Sequence, residues 1–180
     1  MTDATGPTPH DALEPLRASL AAAAARLAAA GARDEVIAEL VHPKPVLGVA
    51  RAPRMADRGR VWRLGVLLLS ADGTLHATGH VVRAERPARR SVLAASVAEH
   101  RAWQAAAVKG GIAEGETVNF DAPAVDLDEL ASAGASGPIV FDGATVLVRW
   151  NPGQPGALAE LGRYLDDRVG LFVDPPGGST

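Results

Sequence analysis

A chain of 180 residues, 47% hydrophobic and 22% charged, has the composition of a globular domain and not of a disordered segment. It holds no cysteine, which excludes disulfides, thiolate metal sites and cysteine nucleophiles. The net charge is −3 and no stretch reaches the roughly 18 apolar residues of a membrane helix, while the polar start to His10 lacks a signal-peptide pattern, so a cytoplasmic, non-membrane protein is expected.

In chain order, a tail at 1–10 leads to a predicted helix. Asp11 is its N-cap, Glu14 completes the cap, and Leu13, Leu16, Leu20 and Leu27 form one stripe closed by Gly31. A shorter helix is predicted over Arg33–Val41, ended by Pro43 and Pro45, and an irregular basic stretch over Val46–Arg60. The run WRLGVLLL-SADG-TLHATGHVV reads as a hairpin about Asp72-Gly73, spanning Val61–Arg83. With a two-residue turn, Leu67 faces Thr78 and Gly65 faces His80; a longer loop with a bulge would shift that register. Ser96 and Glu99 form a capping box for a helix to about Val108, with Gly110 as its stop. A short strand, Thr117–Phe120, follows, then at most two helical turns over Asp126–Ala131. A second hairpin about Asp142-Gly143, apolar on both faces, is expected at the centre of a sheet. The last predicted helix, Pro155–Val169, carries Leu158, Leu161, Leu165 and Val169 and stops at Gly170, with Leu171–Val173 as a short strand before a frayed tail from 175. The fold class expected is α+β: an antiparallel sheet built from two Asp-Gly hairpins and covered by about three helices, as a single domain over 11–174.

Charge is unevenly spread. Residues 42–113 carry twelve bases and four acids, whereas 114–180 carry three bases and eleven acids. This is either an anion-attracting surface or two neighbouring segments that neutralise each other in the fold. A pI of 5.9 argues against a dedicated nucleic-acid domain.

The chain has no dinucleotide fingerprint, Walker loop, H-E-x-x-H or EF-hand loop, no G-x-S-x-G, and no serine followed three residues later by lysine. No cofactor or metal is expected. His76 and His80 share a strand face about 13 Å apart and cannot share a metal without a bend. A His80, His100 and Glu99 acid–base or metal site is conceivable, against the plainer reading of packed, hydrogen-bonded imidazoles. The better candidate is the space over Gly65, bordered by Arg63, Thr78 and His80, with His100, Arg101 or Trp103 contributing from the helix; it suits a carboxylate or phosphate. The competing reading is that a bulky side chain such as Trp103 fills it. Asn119 and Asp121 could orient a polar ligand or staple the following loop.

The segments GRVWRLGVLLL, DGTLHATG, AAVKGGIAEGETVNFD and VLVRW resemble a group of small, uncharacterised actinobacterial proteins, some of them labelled glutaminase, over about residues 50–170. The serine–lysine motif of the serine-dependent glutaminases is missing, so the resemblance transfers no catalytic residue. The leading expectation is a non-enzymatic domain that binds a small anionic ligand or a protein partner. The alternative is an amide or ester hydrolase using His80 or His100 with a carboxylate. Homodimerisation through a hairpin edge or the Ala-rich helix is a third reading.

Overall fold

Leu13, Leu16, Leu20 and Leu27 are all buried along one side of α1 (Glu14–Ala29) in the computed structural model, which describes residues 13–45, 51–86 and 95–175. Leu13 occupies the N-cap position with no side-chain cap, so the helix starts later than the Asp11 pattern predicts. Asp11 itself, His10 and the tails 1–10 and 176–180 lie outside the described residues. After Ala30 the chain leaves the helix through Gly31 at φ +60, and Ala32 N–H returns to Leu27 O.

The predicted second helix is instead strand β1 (Glu35–Val41). It pairs antiparallel with β2 (Arg54–Leu64), so the predicted irregular stretch is a strand from Arg54 onward, while 46–50 lie outside the described residues. Glu, Ala and Leu favour a helix locally, but β-branched Val36, Ile37 and Val41 suit a strand held between two neighbours. A bulge opposite Ile37 and Ala38 lets β2 accommodate Arg58 as an extra residue, with Gly59 at φ +129.

Beyond β2 come β3 (Leu67–Ser70), β4 (Leu75–Ala77), β5 (His80–Arg83), α2 (Ala95–Lys109), β6 (Thr117–Phe120) and α3 (Leu127–Ala133). Next are β7 (Ala135–Ser136), β8 (Ile139–Phe141), β9 (Val146–Arg149), β10 (Leu158–Glu160) and α4 (Leu161–Val173). The described part of α2 already includes Ser96, its predicted cap. The predicted last helix is displaced: Leu158 lies on β10, Leu161, Leu165 and Val169 are buried on α4, and Leu171–Val173 continue that helix past Gly170. The class is α+β, with four helices among the described residues. The pairs β1–β2, β3–β4, β5–β6, β7–β8, β8–β9 and β9–β10 are antiparallel, and β1 runs parallel to β6. No described helix is long and apolar enough to cross a membrane.

The chain divides into two compact units. Unit 1 comprises Met1–Arg33, Trp62–Ala77 and Pro123–Thr180. In it α1 packs against α4, and a second sheet in the order β10-β9-β8-β7 carries β8 and β9, which flank Asp142-Gly143, as its middle pair. Its core gathers the α1 leucines with Trp62, Leu64, Leu67, Leu69, Leu130, Ile139, Val148 and Tyr164. Unit 2 comprises Asp34–Val61 and Thr78–Ala122, with strand order β2-β1-β6-β5. Its core joins Val36, Met55, Val82, Ala106, Ala107, Val118 and Phe120.

Leu67 pairs with Ala77, not Thr78, because three residues, Ala71-Asp72-Gly73, separate Ser70 from Thr74. Gly73 sits at φ +84, as a type I turn closed by a left-handed residue requires. Asp72 Oδ1 accepts Thr74 N–H at 2.9 Å, and this bond, with a further one from the Thr74 side chain, holds the carboxyl below its ordinary value of 3.8. A depressed folded pKa gives stability that is present above the unfolded value and lost as pH falls through the folded one. Asp72→Ala is therefore expected to lower the urea midpoint at pH 7 and to flatten its decline below about pH 4. Urea titrations at several pH values check this; an unchanged acid limb would show that the carboxylate contributes nothing.

Candidate functional site

Gly65 does mark a close approach, but of a side chain from its own unit. The strand predicted to run straight through WRLGVLLL turns at Gly65-Val66, with Gly65 at φ +69. The Tyr164 hydroxyl fills the space: it accepts Val66 N–H at 3.1 Å and donates to Leu64 O at 3.0 Å. A Cβ on Gly65 would lie 2.1 Å from that oxygen. Arg168 stands over the Tyr164 ring, 5.1 Å from its centroid. His80 belongs to unit 2, where it pairs with Phe120 and not with Gly65. The predicted pocket of Arg63, Gly65, Thr78 and His80 is thus corrected, since the turn ends the long strand and the three-residue loop shifts the register.

In unit 2 a different grouping forms. His80 opens β5 directly opposite Phe120, which places their rings on one face. The centroids are 5.3 Å apart and stacked. Trp103, from α2, approaches the same imidazole at 4.9 Å and meets Phe120 edge-on at 5.3 Å. His100, three residues earlier on the helix, lies edge-on to Trp103 at 6.4 Å. Both histidines are exposed, Trp103 is half-buried and Phe120 is fully buried, so a core aromatic supports a surface of two imidazoles and an indole. Arg101 follows His100 on α2, and Thr78 precedes His80 by two residues. The sequence suggests Trp103 only in connection with the space over Gly65, as a contributor to a pocket there or as its filler; its i, i+3 spacing from His100 is the signal that points to this grouping.

Asn119 is only 1% exposed, and its Nδ2 donates to Glu35 Oε2 at 2.7 Å and to Val36 O at 3.2 Å. It ties β6 to β1, whose parallel ladder is two residue pairs long. Asp121 is exposed at the end of β6 with φ 51.

Three arginines of the basic middle segment are met by acids from the segments flanking it. Arg58 pairs with Glu39, Arg86 with Glu114, and Arg60 with Asp34 at 2.6 Å and Glu116 at 3.2 Å. The hydrogen bond to Asp34 is the main reason the Arg60 guanidinium titrates above its ordinary range. Arg54, Arg83 and Arg101 have no ion pair among the described residues. Neither His80 nor His100 has a hydrogen-bonded carboxylate among the described residues, and no cluster of three or more His, Asp or Glu there could hold a metal. Comparison with protein-family models, curated proteins and solved structures gave no significant match.

Proposed function

We propose that the chain is a non-enzymatic binding protein whose unit 2 takes a small anionic ligand at the surface formed by His80, Trp103 and His100. The supporting observation is the convergence of two exposed imidazoles, one from a strand and one from a helix, on a single indole ring. Imidazole N–H groups supply donors to a carboxylate or phosphate, and the indole supplies a flat apolar wall for the rest of the ligand. Arg101, without an ion pair among the described residues, adds positive charge on the same helix. The amide or ester hydrolase reading requires a base oriented by a carboxylate, and among the described residues neither His80 nor His100 has one, which favours binding over hydrolysis at this surface.

Titrating the protein with acetate, benzoate and phosphate at constant ionic strength, followed by amide chemical shifts, tests the reading. Benzoate is expected to bind best and to shift the amides around His80 and Trp103. His80→Ala and His100→Ala are each expected to weaken it about tenfold, the loss of one charge-assisted hydrogen bond. No saturable shift with any of the three anions would overturn the proposal.

A second reading rests on the outer edge of β5, the last strand in its sheet order, where Val81 is 46% exposed. An open edge with an exposed apolar side chain suits a partner that adds a strand.

A further inference from the structure

Unit 1 holds a cavity of about 300 Å³ that no feature of the proposed function uses. It opens between α1, the β3–β4 loop and the segment entering α3, and its inner wall is Leu20, Leu75, Val125 and Leu127. The first three are buried, at 2%, 3% and 8% exposure, so this part of the wall is apolar. Polar groups stand at the mouth: Arg17, Asp72 and Thr74. Arg17 is already engaged, with Glu14 at 2.6 Å and Asp128 at 3.9 Å. The charges around the mouth are therefore one guanidinium against the carboxylates of Glu14, Asp72 and Asp128. An anion entering here would meet a cation already shared between two carboxylates, with a third opposite it. A cation would meet Asp72.

The geometry points to a binding site for a small primary amine with a short alkyl chain, its ammonium held by Asp72 and its chain laid on Leu20, Leu75 and Val125. The volume sits at the lower end for ligand pockets, which limits the occupant to a handful of carbon atoms. An ammonium brings three donors, and a carboxylate offers about four acceptor positions, so Asp72 can keep its bonds from Thr74 and still accept one more. Those bonds favour the ionised carboxylate, holding the Asp72 carboxyl below its ordinary range. The β3–β4 loop holds Asp72 in place because its tip packs on α1: a Cβ on Gly73 would be 3.6 Å from Ala21 N.

The test is an NMR titration of the full chain with n-butylamine, butanoate and butanol, matched in chain length and differing in charge. Butylammonium is expected to saturate and to shift the Leu75 and Val125 amides, with butanoate and butanol at least tenfold weaker. Asp72→Asn, whose fold is checked by its amide spectrum, is expected to weaken butylammonium about tenfold. Leu127→Phe narrows the cavity without touching Asp72 and is expected to abolish the shifts. Equal or tighter binding of butanoate or butanol, or no saturation with butylammonium, overturns the inference. His80→Ala should leave the amine titration unchanged, which keeps this result separable from the anion site of unit 2.

Discussion

Gly110→Ala is expected to destabilise the protein by about 3 kcal/mol, the upper range for forcing one methyl into a filled core. Gly110 ends α2, and its N–H bonds back to Ala106 O. A Cβ there would sit 1.7 Å from Met55 O and 2.8 Å from Met55 C, with Ala107 O at 3.2 Å. These are backbone atoms of β2 and of the helix itself, so no side chain can swing aside. Met55 is fully buried, and relief requires moving the helix end off the strand. The left-handed residue that turns the chain is the next one, Gly111 at φ +94, with open space where its Cβ would be. Gly111→Ala should therefore cost only about 1 kcal/mol, the penalty of left-handed backbone alone. Denaturant titrations of the two variants check the contrast. Equal costs would mean that the close approach to Met55 contributes nothing.

Tyr164→Phe is the second substitution with a large expected effect, about 2 to 3 kcal/mol. The hydroxyl satisfies two backbone groups, Val66 N–H and Leu64 C=O, at the turn that ends β2. Removing it strands a donor and an acceptor beside a side chain that is only 7% exposed. The same oxygen occupies the space over Gly65, so the two positions must couple. Gly65→Ala in the native background combines left-handed strain with the 2.1 Å overlap; once Tyr164→Phe has removed the hydroxyl, the strain and the milder 3.3 Å contacts with Arg168 Nε and the ring Cζ remain. A double-mutant cycle by urea unfolding is expected to show Gly65→Ala costing at least about 1 kcal/mol less in the Tyr164→Phe background than in the native one. Additive costs would show that the hydroxyl and Gly65 do not interact.

The features legible in the sequence are those with a local cause. The α1 leucine stripe, the Gly31 exit and the Thr117–Phe120 strand follow from spacing or turn chemistry within a few residues. Glu35–Val41 reads as a helix because its composition supports one, and only its neighbours, β2 and β6, make it a strand. Gly65 stands out in the sequence as a place of close approach, and it is one. Its partner is invisible there, since Tyr164 lies 99 residues further along the chain. The charge segregation is also real, but Glu39, Asp34, Glu114 and Glu116 meet three of its arginines from outside the basic segment. The His80–Trp103–His100 grouping lies half within reach: the helix spacing is readable, whereas the ring stacking depends on the pairing of His80 with Phe120.

The division of the chain also sets an order for its synthesis. Unit 2 is complete once residue 122 has been made, yet unit 1, which owns the first described helix, still lacks everything from Pro123 onward. Helix α1 packs against α4, whose first residue is Leu161, so it leaves the ribosome more than 130 residues before that partner exists. Vectorial folding therefore runs from the inside of the sequence outward, with the oldest described helix waiting for the youngest.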